Sequence, residues 1–256
     1  MQAPPDLGDA AALRAWANTD SLESPVVVAC SGGPDSLALL AIAARALLKP
    51  VAVHVDHGLR EGSARDSKVV EDAANLLGVE WQSIVVDVGN GPNLEARARS
   101  ARYSALAKAR ADLGATAILT GHTADDLAET VLINTLRGAG LSGLAGIPRR
   151  NGDVVRPLLD MRRDDVRAVA MTLGVTPVDD PSNADEIHRR NWIRHTVMPL
   201  LSEGAGRDLV PLLARQAAVI AEDVALLDAL ADELLSRAGS EEPAVRILRD
   251  APAALS

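Results

Sequence analysis

The chain has 256 residues, 35 acidic against 26 basic side chains, and a formal charge of −9. That length suits one α/β domain with a smaller appendage, and the charge argues against a generally basic nucleic-acid coat. Cys30 is the single cysteine, Met1–Asp9 lacks a basic, apolar leader, and charges such as Arg45 and Lys49 break every long apolar stretch, so the expectation is a cytoplasmic protein with no disulfide framework and no membrane span.

In chain order, Val26 to Cys30 is a short β-branched run that reads as a strand buried on both faces. From Ser36 on, Leu37, Leu40, Ala41, Ala44 and Leu48 recur every three or four residues, so a helix follows. The residues between, Ser31 to Ser36, must turn the chain and present backbone N–H groups at a helix N-terminus, which favours an anion. Gly32 and Gly33 let backbone approach a ligand closely. The loop has no Walker lysine and no Gly-x-Gly-x-x-Gly. It has Asp35 instead, which would repel a bare phosphate, so a bridging Mg²⁺ is expected. An ordinary Gly-rich strand-to-helix turn would also account for these residues.

Further along, strands are expected near 50–55, 81–86 and 115–120, and helices near 65–77, 94–112 and 124–136. With the first pair, this alternation implies an α/β fold with a doubly wound parallel sheet, whose ligands lie at the strand carboxyl ends near 31–36, 56–62 and 120–125. His54-Val55-Asp56-His57 reads as a transition-metal fragment, a satisfied loop or a wall of a nucleotide pocket. Asn93 to Tyr103 is a basic helix face, either a solvated surface or a phosphate contact through Arg97, Arg99 or Arg102. In Gly121-His122-Thr123-Ala124-Asp125-Asp126, Thr123 and Asp126 are spaced as a near capping box. The same stretch should sit beside Ser31–Ser36, where Asp126 and Asp35 would share one Mg²⁺. Asp126, Glu129 and Thr130 fall on one helix face.

Beyond Gly138 the pattern loosens into a flexible apolar loop, then short elements including a helix near 162–173 that stops at Gly174. Ten arginines against eight carboxylates lie between Arg137 and His195, which permits local RNA contact without requiring it. Arg190 and Arg194 are further phosphate candidates, and sequence does not rank the arginines. A long helix over 210–237 keeps Leu213, Ala217, Ile220, Val224, Leu227, Ala231 and Leu234 in strict heptad spacing, which suits packing along a neighbouring domain or a homodimer coiled coil. Asp250 to Ser256 reads as the start of a helix whose body is missing. Phe is absent and the aromatics are Trp16, Trp81, Trp192 and Tyr103, so the core must be Leu, Val, Ile and Ala, and base-stacking platforms are scarce.

The loop SGGPDS resembles the pyrophosphate loop of the N-type ATP pyrophosphatases. The ordered phrases SGGPDS, HVDHGLR, LEARARSARY, GHTADDLAET, LRGAGLSGLAGI, RPLL and DPSN with RRNWIRH, over about residues 25–200, resemble the tRNA(Ile)-lysidine synthase family. The resemblance implies an adenine-nucleotide alpha hydrolase-like fold over residues 1–200, with residues 201–256 forming a long helix and the start of a helical C-terminal domain. It also implies ATP-dependent addition of L-lysine to C2 of the wobble cytidine in tRNA(Ile) with a CAU anticodon, through an adenylated cytidine. ATP would bind at Ser31, Gly32, Gly33, Pro34, Asp35, Ser36 and His57, with Mg²⁺ on Asp35 and Asp126 and with Asp35, Asp126, Arg102 and Arg194 catalytic. The lysine amine, with a free pKa of about 10.4, needs a proton acceptor or a dry pocket, and Asp125 and Glu129 are the candidates. Cys30 is expected to be a core thiol, which speaks against a sulfur-inserting tRNA enzyme of the same superfamily. A small-molecule amidating ligase of that superfamily and a non-catalytic nucleotide-binding module are the rival functions.

Overall fold

The computed structural model describes residue 13 and residues 17–58, 63–89, 91–178 and 189–238. Its first half follows the expected alternation: β1 (Val26–Ala29), α1 (Pro34–Arg45), β2 (Pro50–Asp56), α2 (Ser63–Leu77), β3 (Glu80–Val85), α3 (Leu94–Asp112), β4 (Ala117–Leu119) and α4 (Ala124–Leu136). Pro34 opens α1 at a first-turn position, where its missing N–H costs nothing.

A short helix α5 (Leu141–Leu144) and a two-strand ribbon, β5 (Arg150–Asn151) and β6 (Val154–Val155), follow. Strands of two residues carry no periodicity, so they are invisible in the hydrophobic pattern. They nevertheless complete a six-stranded sheet of order β3-β2-β1-β4-β6-β5, parallel except where β5 runs against β6. Val26 pairs with both Pro50 and Ala117, so β1 sits centrally between β2 and β4 in matching register. The chain winds one way from β1 to β3 and then returns to β1's other edge as β4. The switch point therefore lies between the carboxyl ends of β1 and β4, where open α/β sheets bind ligands.

One sheet face is covered by α1, α2 and α6 (Arg163–Met171), which bury Leu37, Leu40, Val70, Ala74, Val166 and Val169 together. The other face carries α3, whose Leu106 and Ala109 pack on Val27, Val51, Val53 and Ile118. Helix α6 ends near Gly174, at a φ of +69° that glycine adopts without strain.

After residues 179–188 come α7 (Arg189–Trp192), a π-helical turn (Ile193–Val197), α8 (Met198–Ala205) and α9 (Val210–Ala238). Among the described residues the heptad seam of α9 is packed in its first half. Ala217 is buried against Leu127 and Val131 of α4, with Leu213 beside them. Leu227 and Leu234 of the seam are exposed. The expected boundary after residue 200 falls inside α8. The phrase Asp180-Pro181-Ser182-Asn183, Leu59 and Arg60 of the second phrase, and the expected helix start at Asp250 all lie outside the described residues. No helix among the described residues is long and apolar enough to cross a membrane.

Candidate active site

The turn after β1 brings Ser31, Gly32 and Gly33 to the N-terminus of α1. Gly32 has a φ of +81°, and a Cβ there would meet Val178 Cγ2 at 2.8 Å, so both conformation and space require glycine. Ser36 Oγ donates to the Gly33 carbonyl at 2.9 Å and accepts from the Ser31 N–H at 3.2 Å, which holds the turn in shape. The loop after β4 lies directly against this turn: a Cβ on Gly121 would stand 2.9 Å from the Asp35 carbonyl oxygen. Glycine at 121 lets the two loops touch.

A cleft of about 560 Å³ opens at this junction. Ser31, Asp35, Ser36, His57, Arg99, Arg102, Asp126, Arg190 and Arg194 all line it, so most of the residues singled out from the sequence converge on one site. Gly32, Gly33 and Pro34 form the turn and first helical position that carry Asp35. Arg97 does not join them. Its guanidinium turns back to the Pro92 carbonyl at 2.6 Å and the Gly89 carbonyl at 3.4 Å. The structure thus separates Arg97 from Arg99 and Arg102, which the sequence left unranked.

On the β2–α3 side, Arg102 Nε donates to His57 Nε2 at 3.4 Å. Burial, with Arg99 adding to it, lowers the Arg102 pKa from its ordinary value. Arg99 lies over the Tyr103 ring at 5.0 Å, a cation–π contact. The His57 Nδ1 is buried without a hydrogen-bond partner, and burial lowers its pKa. His54 is tied to the Cys30 carbonyl through Nδ1 at 2.9 Å, and the Asp56 carboxylate accepts from the Gly58 N–H at 2.8 Å. The His54–His57 stretch is therefore a wall of the cleft. Among the described residues no group of three or more His, Cys, Asp or Glu side chains is placed to hold a metal ion.

The opposite side is built by α4, α6 and α7. Thr123 and Asp126 form a complete capping box, with Asp126 Oδ2 accepting from the Thr123 N–H at 2.8 Å and from its hydroxyl at 2.9 Å. Asp126 Oδ1 accepts from Arg163 at 2.9 Å. Glu129, only 2 % exposed, accepts from three guanidiniums: Arg163 at 3.0 Å, Arg190 at 2.9 Å, and Arg194 at 2.7 and 3.0 Å. Arg190 also reaches the Asp126 carbonyl and the Thr130 hydroxyl, so the helix face expected from the spacing of Asp126, Glu129 and Thr130 is recognised by one side chain. Burial alone would raise the Asp126 pKa, but Arg163, Arg190 and the Thr123 amide pull it down to about 2. Burial likewise opposes the charge on Arg163, yet Asp126 and Glu129 hold its pKa above the ordinary value.

Asp125 points elsewhere. Its carboxylate binds Arg162 through two contacts at 3.1 and 3.2 Å and accepts the Arg163 N–H at 2.7 Å. Arg162 also pairs with Asp208, just before α9. A second cavity of about 250 Å³ lies here, lined by Asp125, Glu129, Arg162, Ser202 and Asp208 among others, with Arg194 common to both cavities. The expectation that Asp125 or Glu129 accepts a proton from an amine meets a physical obstacle, because both carboxylates already serve arginines.

Asp35 is the contrasting acid. Its Oδ1 is buried and makes no aligned hydrogen bond, with Arg167 Nε 3.5 Å away, and burial, then repulsion from Asp126, raises its pKa against the pull of Arg167 and Arg163. An oxygen held only by one half-exposed guanidinium, at a helix N-terminus, fits a divalent cation, because Mg²⁺ is usually held by one or two carboxylates and a nucleotide. Asp126 faces the same cleft, but a direct bond to the cation requires one of its arginine or threonine contacts to yield.

Sequence reading missed Arg163, and His122 went unassigned. His122 lies in the cleft, 3.0 Å from Thr120 Oγ1, and burial lowers its pKa to about 4, so the ring is neutral at pH 7. Its position inside the phrase GHTADDLAET was the available signal. Arg163 follows RPLL, and nothing local announces that it crosses to α4.

The cation-ready loop, the switch-point cleft and the parallel sheet define a PP-loop nucleotide-handling domain, and the family model described as a PP-loop domain matches residues 10–201. More narrowly, the chain belongs to the tRNA(Ile)-lysidine synthase family. It is 46 % identical over 236 residues to the tRNA(Ile)-lysidine synthase of Salinispora arenicola, covering 88 % of this chain and 71 % of that one. It is 43 % identical over 246 residues to that of Rhodococcus erythropolis, covering 95 % and 75 %. Among solved structures, the U34-tRNA thiolase NcsA of Methanococcus maripaludis with its 4Fe-4S cluster shares the fold at 17 % identity and a TM-score of 0.65, covering 83 % of this chain and 76 % of that one. The NMN synthetase of Francisella tularensis does so at 13 % identity and a TM-score of 0.51, covering 86 % and 93 %.

Proposed function

We propose that this chain uses ATP to attach L-lysine to C2 of the wobble cytidine of tRNA(Ile) with a CAU anticodon, in the cytoplasm, releasing pyrophosphate and AMP. The observation that carries the reading is Asp35, a carboxylate at the start of α1 whose buried Oδ1 makes no aligned hydrogen bond, in one cleft with Arg99, Arg102 and Arg194. Cytidine O2 attacks the α-phosphorus, and the bond to the bridging oxygen of the pyrophosphate breaks. Lysine Nζ then attacks C2, the C2–O2 bond breaks, AMP leaves with that oxygen, and the nitrogen loses a proton. A Mg²⁺ ion on Asp35, with Asp126 as its second carboxylate, would supply positive charge to the departing pyrophosphate.

The chain's own groups do the rest. Ser31, Ser36 and the turn amides orient the β- and γ-phosphates. Arg102 and Arg194, on opposite walls, meet the phosphate charge that develops between them, and His57 bounds the nucleotide. Holding lysine neutral at pH 7 costs about 4.6 kcal/mol, from its pKa of about 10.4. Asp125 and Asp208 border the second cavity, and both pair with Arg162, so an ammonium group held there before transfer would have to displace that guanidinium. Sulfur insertion is disfavoured by the lone thiol: Cys30 is buried, and burial pushes its pKa up to about 12.

The test is pyrophosphate release in the presence of bulk tRNA and lysine. Wild-type protein should release pyrophosphate only when both tRNA and ATP are present. Asp35→Asn should lower the rate at least ~100-fold with the fold intact. Turnover near wild type in the folded variant would overturn the assignment of Asp35, and release indifferent to tRNA would overturn the substrate.

A further inference from the structure

We infer that Arg167 is a pyrophosphate-binding residue, paired with Asp35 in this structure and transferred to the phosphates when a divalent cation takes that carboxylate. The inference rests on the ATP reading above and adds a residue to it.

Arg163 and Arg167 are one turn apart on α6, which packs along α1, so both guanidiniums face the start of α1. Arg167 Nε stands 3.5 Å from Asp35 Oδ1, in ion-pair range but without hydrogen-bond alignment, and Arg163 Nε stands 4.0 Å from Asp35 Oδ2. The two arginines differ in freedom. Arg163 is fixed by Asp126 and Glu129 and its side chain is 10 % exposed. Arg167 is 47 % exposed, and among the described residues Asp35 is the one carboxylate within ion-pair range of it.

A divalent cation on Asp35 would remove that counter-ion and set a positive ion beside the guanidinium. The acceptors then nearest Arg167 are the phosphate oxygens brought to the same cation. A planar fork of five donors suits such oxygens, and a half-exposed side chain can swing to them with little loss of packing. Arg163 cannot make this exchange without stripping Asp126 and Glu129.

Calorimetric titration of the 256-residue protein with Mg²⁺ alone, and with pyrophosphate in excess Mg²⁺, separates the possibilities. Arg167→Ala should bind Mg-pyrophosphate about tenfold to a hundredfold more weakly, the loss of charge-assisted hydrogen bonds. It should bind Mg²⁺ alone at least as tightly as wild type, because a competing cation has gone. Arg167→Lys should recover part of the pyrophosphate affinity, keeping the charge but not the fork. A merely structural arginine would weaken both titrations and shift the unfolding midpoint. That result, or Mg-pyrophosphate affinity in Arg167→Ala within about twofold of wild type, overturns the inference while leaving lysine ligation untouched. Failure of wild-type protein to bind Mg-pyrophosphate would overturn the loop assignment, and the role of Arg167 with it.

Discussion

On the wall formed by β2 and α3, Arg99 and Arg102 make no ion pair with a carboxylate among the described residues, and His57 Nδ1 lacks a hydrogen-bond partner. On the wall formed by α4, α6, α7 and the π-helical turn, Asp126 and Glu129 are enclosed by Arg163, Arg190 and Arg194, with contacts as short as 2.7 Å. Both walls are rich in arginine, yet only one is neutralised from within. The difference teaches where a ligand's charge must go. A nucleotide and an RNA phosphate can discharge the open wall, whereas the paired wall is assembled before any ligand arrives and fixes the geometry against which they bind. Electrostatic preorganisation of this kind places its cost in folding rather than in the reaction.

The largest effect should therefore come from breaking the paired wall. Glu129→Ala removes a carboxylate that three guanidiniums share and leaves their charges partly buried and under-compensated. Loss of one partner from a buried ionic cluster costs about 3–5 kcal/mol. Urea unfolding should show a midpoint shift of that size at an unchanged slope. A loss under about 1 kcal/mol would mean the cluster is as well solvated as a surface pair, and the contrast between the walls would collapse.

The open wall should respond the other way. Arg102→Ala removes a buried cation whose pKa burial already lowers, so stability should hold or rise slightly. Activity should fall by about tenfold to a hundredfold, the worth of one charge-assisted contact at a transition state. Arg97→Ala is the internal control. It lies on the same helix but turns back to Pro92 and Gly89, so its turnover should stay within about threefold of wild type. Equal losses from both variants would show that α3 contributes only a diffuse field, with no specific contact from Arg102.

How much of this was legible in the sequence follows from the range of the interactions. The β1–turn–α1 unit is local, and Val26 to Ser36 announces strand, turn and helix within eleven residues. The alternation to α4 is equally plain because each element is long enough to show a period. The ribbon at Arg150–Val155 was not, since its two strands have two residues each and exist only through pairing with each other and, for β6, with β4. Within the site, Asp35 and Asp126 could be named because each sits at a recognisable helix start. Arg163 could not, because its partners are fixed by where the start of α6 comes to lie beside α4. The same gap explains Glu129: its sequence context suggested a free base, and only the tertiary packing of α6, α7 and the π-helical turn supplies the arginines that occupy it. The seam of α9 shows a related limit, for a heptad pattern states that a face is apolar and does not say along which half a neighbour lies.

A smaller effect than that of Arg102 should come from Cys30, and it tests whether the cleft acts through charge alone. Cys30 sits at the carboxyl end of β1, beneath the turn that carries Asp35, and its Sγ lies 3.7 Å from the Ser36 carbonyl. A thiol with its pKa pushed up to about 12 by burial is protonated at any working pH, so it is neither a nucleophile nor a metal ligand in this state. Cys30→Ala removes one buried sulfur and should cost roughly 1 kcal/mol of stability through the small void it leaves. The void lies under the turn, so some loosening of Ser31 and Ser36 is expected, and lysine-dependent AMP formation should stay within about tenfold of wild type. Thermal unfolding and a steady-state assay on the same preparation check both parts. Complete loss of activity with stability retained would mean that the thiol itself takes part in the chemistry, and the open wall would then have to be read as a sulfur site with arginines around it.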